Sequence, residues 1–290
     1  MSEEKISLSA GKTITHIATY LLLFLAGDLI SSLLFDLLFS VVKLPSGWMY
    51  QLPRALGTLA VTWLLFWLYT SKVLRMKMSD FGITHNVRVW AVLLSLLLPV
   101  LTAAVFCAAG KVSITETSLG NVFGTAAASL AFALKAGITE EMLFRGFIMT
   151  LVGHKWGKKL AIIAPSVFFG CVHLINFEKN FTFAGVVLLI VSGSLAGIMF
   201  SLAADRGSVS SSALMHTIWN FIMATNIVHI TTEQEAYGAP LVSVIIPSES
   251  ILLTGGDFGA EASIIAVVGY AAVCILIMLA GKKTDSSRNY

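Results

Sequence analysis

Glu140 and Glu141 are adjacent carboxylates, and with Arg145 they interrupt a long apolar stretch, in Gly137-Ile-Thr-Glu-Glu-Met-Leu-Phe-Arg-Gly146. Two further apolar stretches carry polar groups: His173 in Phe169-Gly-Cys-Val-His173, and His216 with Asn220 in His216-Thr-Ile-Trp-Asn220. Ionisable side chains are costly at membrane depth because they lose their water. A chain that carries this cost on three segments is expected to build a site. The chemistry such a set supports is water activation. Glu140 can take a proton from water, with His173 orienting that water or sharing the proton. His216 and Asn220 can donate hydrogen bonds to the oxyanion of a tetrahedral intermediate. Hydrolysis of a peptide bond fits this set, and no serine or cysteine stands out as a nucleophile. Ser208, Ser210, Ser211 and Ser212 read as helix-start and packing residues.

Helical geometry divides the labour. Glu141 and Arg145 are i and i+4, so they can pair on one helix face. Glu140 is rotated from Glu141 by about 100°, which leaves it free for a cavity. Glu141 and Arg145 are therefore expected to support the site, with Glu140, His173, His216 and Asn220 as the catalytic set. His216 and Asn220 share a face. Phe169 is i−4 to His173 and can wall the site against lipid. Glu140, His173 and His216 could instead ligate zinc. No H-E-x-x-H pair is present, so no metal and no cofactor is expected, with zinc the second reading.

These residues need helices to position them. The chain has 290 residues, 57% hydrophobic and 12% charged, with a mean hydropathy of +0.85. Soluble domains carry about 25% charged residues. An all-α, polytopic membrane bundle forming a single domain over 1–290 is expected. Eight candidate spans lie near 14–42, 55–74, 89–110, 121–153, 159–177, 183–204, 208–230 and 262–281, and the catalytic core falls in the fourth to seventh. The fourth would be about 50 Å long, beyond the ~30 Å hydrocarbon layer. It must tilt, protrude or break near Lys135 and Gly137. No basic run suggests a nucleic-acid partner. Cys107, Cys171 and Cys274 lack metal or redox spacing and read as packing residues. No cleavable signal peptide is evident.

Loop charges set the orientation. Lys72, Arg75, Lys77 and Arg88, then Lys155, Lys158 and Lys159, then Lys282, Lys283 and Arg288 fall on one side of an eight-helix arrangement. The connection 231–261 has Glu233, Glu235, Glu249, Asp257 and Glu261 but no Lys or Arg. The positive-inside rule then puts both termini in the cytoplasm of a multi-pass cell-membrane protein. Thr254-Gly255-Gly256-Asp257 is a turn signal. Counted from the basic loops, Glu140, His173, His216 and Asn220 lie about 15–23 Å from one face, in a common slab. Asp28 and Asp36 could line one broad face of the first span. His16, His85, His154 and His229 sit near segment ends and read as solvated. Gly193-x-x-x-Gly197 reads as a close-packing face, with a homodimer contact as the alternative.

Glu-Glu-x-x-x-Arg (Glu140, Glu141, Arg145), Phe-x-x-x-His (Phe169, His173) and His-x-x-x-Asn (His216, Asn220) resemble, in order, the motifs of the CPBP family. These are the CAAX prenyl proteases and bacteriocin-processing enzymes, also called the Abi family. The resemblance covers about residues 120–225 and includes Ser192-Gly-Ser-Leu-Ala-Gly197 through Asp205-Arg-Gly-Ser-Val-Ser210. It implies a glutamate intramembrane endopeptidase with an eight-helix core, acting on a membrane-associated or lipidated peptide or protein. It also implies Glu140 as base, His173 as its partner, and His216 and Asn220 as oxyanion stabilisers. The alternatives are a non-catalytic partner or immunity protein, which the family also contains, and a proton-coupled transporter. A transporter would favour inverted repeats, and the chain shows none.

Overall fold

The computed structural model describes residues 8–43, 47–176, 182–232 and 240–280, with the side chain of Asp257 left out. Among the described residues, six helical stretches are long and apolar enough to cross a membrane. They comprise α1 (Ala10–Val42), α2 (Trp48–Leu68, continued by a π turn Tyr69–Val73), α3 (Val89–Ala109), a rod Leu119–Trp156, α6 (Lys158–Val172) with a 3-10 turn His173–Asn176, and α7 (Phe183–Arg206). The rod consists of α4 (Leu119–Glu141), a π stretch (Met142–Ile148) and α5 (Met149–Trp156). Two shorter helices, α8 (Val209–Met223) and α10 (Ile264–Ala280), complete the bundle, and α9 (Ile251–Thr254) is a single turn. All eight expected segments are helical, in a multi-pass membrane bundle. On α1, Leu22, Leu25, Leu29 and Leu33 are 60–65% exposed at helical spacing, which is the face an apolar solvent would cover. Hydroxyl side chains start the helices. Ser9, Ser118, Thr182 and Ser208 each accept a backbone N–H from the first turn of α1, α4, α7 and α8, satisfying a donor that has no helical partner.

The fourth segment does not break at Lys135 or Gly137. Lys135 pairs with Asp28 of α1 at 3.4 Å, so its charge is met without interrupting the helix. The rod instead widens into π geometry over Met142–Ile148, where every residue is buried. Single π insertions inside helices are frequent at functional sites. The seventh segment ends at Met223 and not near 230. The chain there turns into β2 (Val228–Thr231), which joins β1 (Lys111–Ile114) and β3 (Val242–Ile245) in a sheet of order β1-β3-β2. β1 pairs antiparallel with β3, Lys111 opposite Ile245, and β2 parallel with it, Val228 opposite Val242. These short strands are an addition to the helical bundle. The sheet gathers the ends of α3 and α8 and the approach to α10, and buries Val244 and Ile246 in the core. Of the charges used for orientation, Glu233, Glu235, Lys282, Lys283 and Arg288 lie outside the described residues.

Two apolar clusters form the interior. One gathers residues of α3, α7, α8 and α10, and the other residues of α1, α2, the π stretch, α5 and α6. Phe169 belongs to the second, and Phe200 and Trp219 to the first. The polar residues lie where the clusters meet.

Two close approaches set that meeting. A Cβ at Gly137 would stand 2.3 Å from Thr217 Oγ1 and 2.8 Å from its backbone nitrogen. Only glycine therefore lets α4 lie against α8, one turn from Glu141 and next to His216. A Cβ at Gly193 would stand 2.8 Å from Gly170 Cα, and one at Gly197 the same distance from Ser166 Cα. The Gly193-x-x-x-Gly197 face is thus filled by α6 of the same chain, which leaves it occupied against a homodimer contact. The cysteines are free. Asp28 and Asp36 both have partners, Lys135 for the first and the Tyr50 hydroxyl, which donates at 2.8 Å, for the second. His16 is not simply solvated, since its Nδ1 lies 2.8 Å from the Tyr69 hydroxyl. His229 borders a cavity described below.

Candidate active site

Glu141 is the hub. It is fully buried and joins its own rod to α8. Its Oε1 accepts from Arg145 Nη1 at 2.9 Å and from His216 Nδ1 at 2.9 Å. Its Oε2 accepts from the Ser212 hydroxyl at 2.5 Å. Arg145, equally buried, also donates through Nη2 to the Gly197 carbonyl at 2.9 Å. Its guanidinium lies 4.6 Å from the centre of the Phe169 ring, 5.4 Å from Phe200 and 5.6 Å from Phe144, so aromatic faces enclose the cation. The i, i+4 pairing is present, and Glu141 also does something the spacing did not reveal. It ties α8 to the rod through His216 and Ser212.

The hydrogen bonds assign the imidazole protons. His173 Nδ1 lies 2.6 Å from the Phe169 carbonyl oxygen. A carbonyl can only accept, so Nδ1 carries the hydrogen and Nε2 is the free nitrogen. His216 Nδ1 faces a carboxylate, so its Nε2 is free as well. That Nε2 lies 4.0 Å from Glu140 Oε2. Glu140 is partly accessible, its side chain 22% exposed, where Glu141 has no exposure. The two neighbouring carboxylates thus differ as helical rotation requires: one is locked in a buried network, the other is partly exposed beside His216. The Phe200 ring stacks on His216 at 4.6 Å and 18°. Phe169 meets His173 at 4.5 Å and His216 edge-on at 5.9 Å. Phe169 is itself buried, with the Arg145 guanidinium over its ring and His173 beside it.

His173, His216 and Asn220 line one small pocket, with Ser192, Trp219, Phe258, Glu261 and Tyr270 on its walls. Several of these escaped the sequence reading. Ser212 was grouped with packing serines, yet it bonds Glu141 and the Phe200 carbonyl. The neighbouring serines do hold the helix start: Ser208 and Ser210 donate to the carbonyls of Asn86 and Thr84. Glu261 was counted only as an acidic loop residue. Its signal was the tight-turn sequence before it, which returns the chain toward the bundle. Burial pushes the Glu261 carboxyl up to about 7. Among the described residues no three His, Cys, Asp or Glu side chains come together as a metal-binding group.

Glu140 and the free Nε2 of His216 face one another at 4.0 Å, and His173 shares with His216 and Asn220 a pocket that Glu140 does not line. Residues 122–222 match the family model of Rce1-like proteins, described as type II CAAX prenyl endopeptidase. The match spans all seven residues Glu140, Glu141, Arg145, Phe169, His173, His216 and Asn220. No curated protein and no solved structure matches the chain.

Proposed function

We propose that this chain, which over residues 122–222 belongs to the Rce1-like family of type II CAAX prenyl endopeptidases, hydrolyses a peptide bond through a water activated by Glu140 and His173. Glu140 takes a proton from water as the water oxygen bonds the scissile carbonyl carbon. The carbonyl oxygen becomes an oxyanion, to which Asn220 donates. His216 can donate there only when Nε2 bears a proton, because its Nδ1 hydrogen is already given to Glu141. Glu140, 4.0 Å away, is the group that can hand that proton on. The C–N bond then breaks, the electrons go to nitrogen, and a proton from His216 or Glu140 completes the amine.

The observation that carries this reading is the contrast at positions 140 and 141. Glu141 spends its acceptors on Arg145, His216 and Ser212, while Glu140 faces the free nitrogen of an imidazole already fixed from behind. The substrate class that follows is a membrane-associated or lipidated peptide, and a prenylated C-terminal peptide is the first to try. The loop charges support a position in the cell membrane with both termini in the cytoplasm. The test is purified wild-type protein in detergent with a fluorogenic farnesylated C-terminal peptide, the products weighed by mass spectrometry. Two fragments whose masses sum to substrate plus water are expected. Intact peptide, or modification without chain cleavage, would remove the endopeptidase reading.

A further inference from the structure

Glu261 comes from a connection outside the matched region and still reaches the site. It lies in a 3-10 turn, Ala260–Ala262, just before α10. The route to that turn needs glycine. Gly255 has φ of 83°, and a Cβ there would stand 1.7 Å from the Gly259 carbonyl oxygen. The Tyr270 hydroxyl fixes the turn by donating to the Glu261 backbone carbonyl at 3.1 Å. The Trp219 side chain stands beside Glu261 in the pocket wall. One carboxyl oxygen, Oε1, is buried with no hydrogen-bond partner. A sealed acceptor without a donor is rare, and Glu261 lines the pocket of His173, His216 and Asn220.

Glu261 and Phe258 belong to two spaces at once. Besides the catalytic pocket, they border an open cavity of about 790 Å³ whose walls include Asp28, Arg54, Lys135 and Asn226. The Phe258 ring also meets His173 edge-on at 5.8 Å. A peptide lying in the large cavity and reaching the catalytic groups must pass this wall.

Resting on the endopeptidase reading, we propose that Glu261 is a positioning residue for the substrate main chain. Its Oε1 accepts an N–H from an extended peptide that runs from the cavity into the catalytic pocket. An extended chain offers backbone N–H groups along its length, whereas a helix has already used its own. In a site shielded from water an unmet N–H is costly, and a carboxyl acceptor removes that cost. The ligand class is therefore an extended or unwound tail, and a continuous transmembrane helix is rejected at this wall.

The test measures binding in the Glu140→Gln protein, which avoids turnover, by anisotropy of a fluorescent farnesylated C-terminal peptide. Adding Glu261→Ala should weaken binding about ten- to a hundredfold, the size of one hydrogen bond to a charged group. Glu261→Gln, which keeps an oxygen acceptor, should lose less. Methylating the peptide nitrogens one at a time gives a second test. One methyl position should weaken binding by a similar factor, and it should cost nothing further in the protein that also carries Glu261→Ala. Equal binding with and without Glu261→Ala, or methyl effects that are the same in both backgrounds, would overturn the assignment. Peptide that binds in this Glu261-dependent way but is not cleaved by wild type would instead overturn the endopeptidase reading and leave the Glu261 contact standing.

Discussion

Replacing Glu141 by glutamine separates its two jobs. The substitution keeps the shape and removes the charge. Arg145 then remains fully buried, with the Gly197 carbonyl and three aromatic rings but without its carboxylate. Breaking a buried pair by neutralising one partner costs about 3–5 kcal/mol, because the other charge is left uncompensated. In a chain of this size that lowers the melting temperature on the order of 10 °C. A second loss falls on His216, whose Nδ1 bond to Glu141 at 2.9 Å sets the direction of Nε2. A glutamine can present its NH₂ there as readily as its oxygen, so the imidazole loses its fixed tautomer. Thermal melting in detergent and the kcat of the folded fraction read these effects separately. Glu141→Gln should melt early and turn over slowly. The double variant Glu141→Gln/Arg145→Gln should recover part of the melting temperature and none of the kcat. Wild-type melting in the single variant, or wild-type kcat in the double variant, would refute the hub role of Glu141.

Two further outcomes are expected. Activity should survive dialysis against a chelator, since Nδ1 of both histidines is engaged by protein acceptors and the described residues form no metal-binding group; zinc at one equivalent, with activity lost on its removal and regained on its return, would contradict this. Single cysteines at positions 80 and 157, in a background lacking Cys107, Cys171 and Cys274, should resist an impermeant thiol reagent in intact cells while one at position 245 reacts, and the reverse pattern would invert the orientation.

The parts of the site that were legible in the sequence share one property: their geometry is local. The Glu141–Arg145 pair follows from i, i+4 spacing, and the free position of Glu140 from one helical step. Six of the long helices among the described residues were legible because membrane spans declare themselves by composition over about 20 residues. What stayed hidden depends on distant partners. Ser212 looks like its neighbours until α8 docks on the rod and points it at Glu141, 71 residues earlier. The strands are four residues each and pair Lys111 with Ile245, which no short window can reveal. The π stretch at Met142–Ile148 has no composition of its own. Lys135 suggested a helix break only because its partner, Asp28, lies on another helix. Glu261 was hidden twice, by a loop read as lying outside the membrane and by a fold-back that brings it under Trp219 and Tyr270.

The most direct measurement of the central claim is single-turnover cleavage of the farnesylated peptide by Glu140→Gln beside wild type. Glutamine keeps the shape at position 140 and cannot take a proton from water. Its side chain is partly accessible, and at 4.0 Å from His216 Nε2 it makes an ion pair only when that imidazole is protonated, so folding and melting should stay near wild type. The account predicts peptide binding with a rate constant for cleavage lowered at least about a hundredfold, the lower range for loss of a general base. Cleavage at near the wild-type rate by well-folded Glu140→Gln would contradict it.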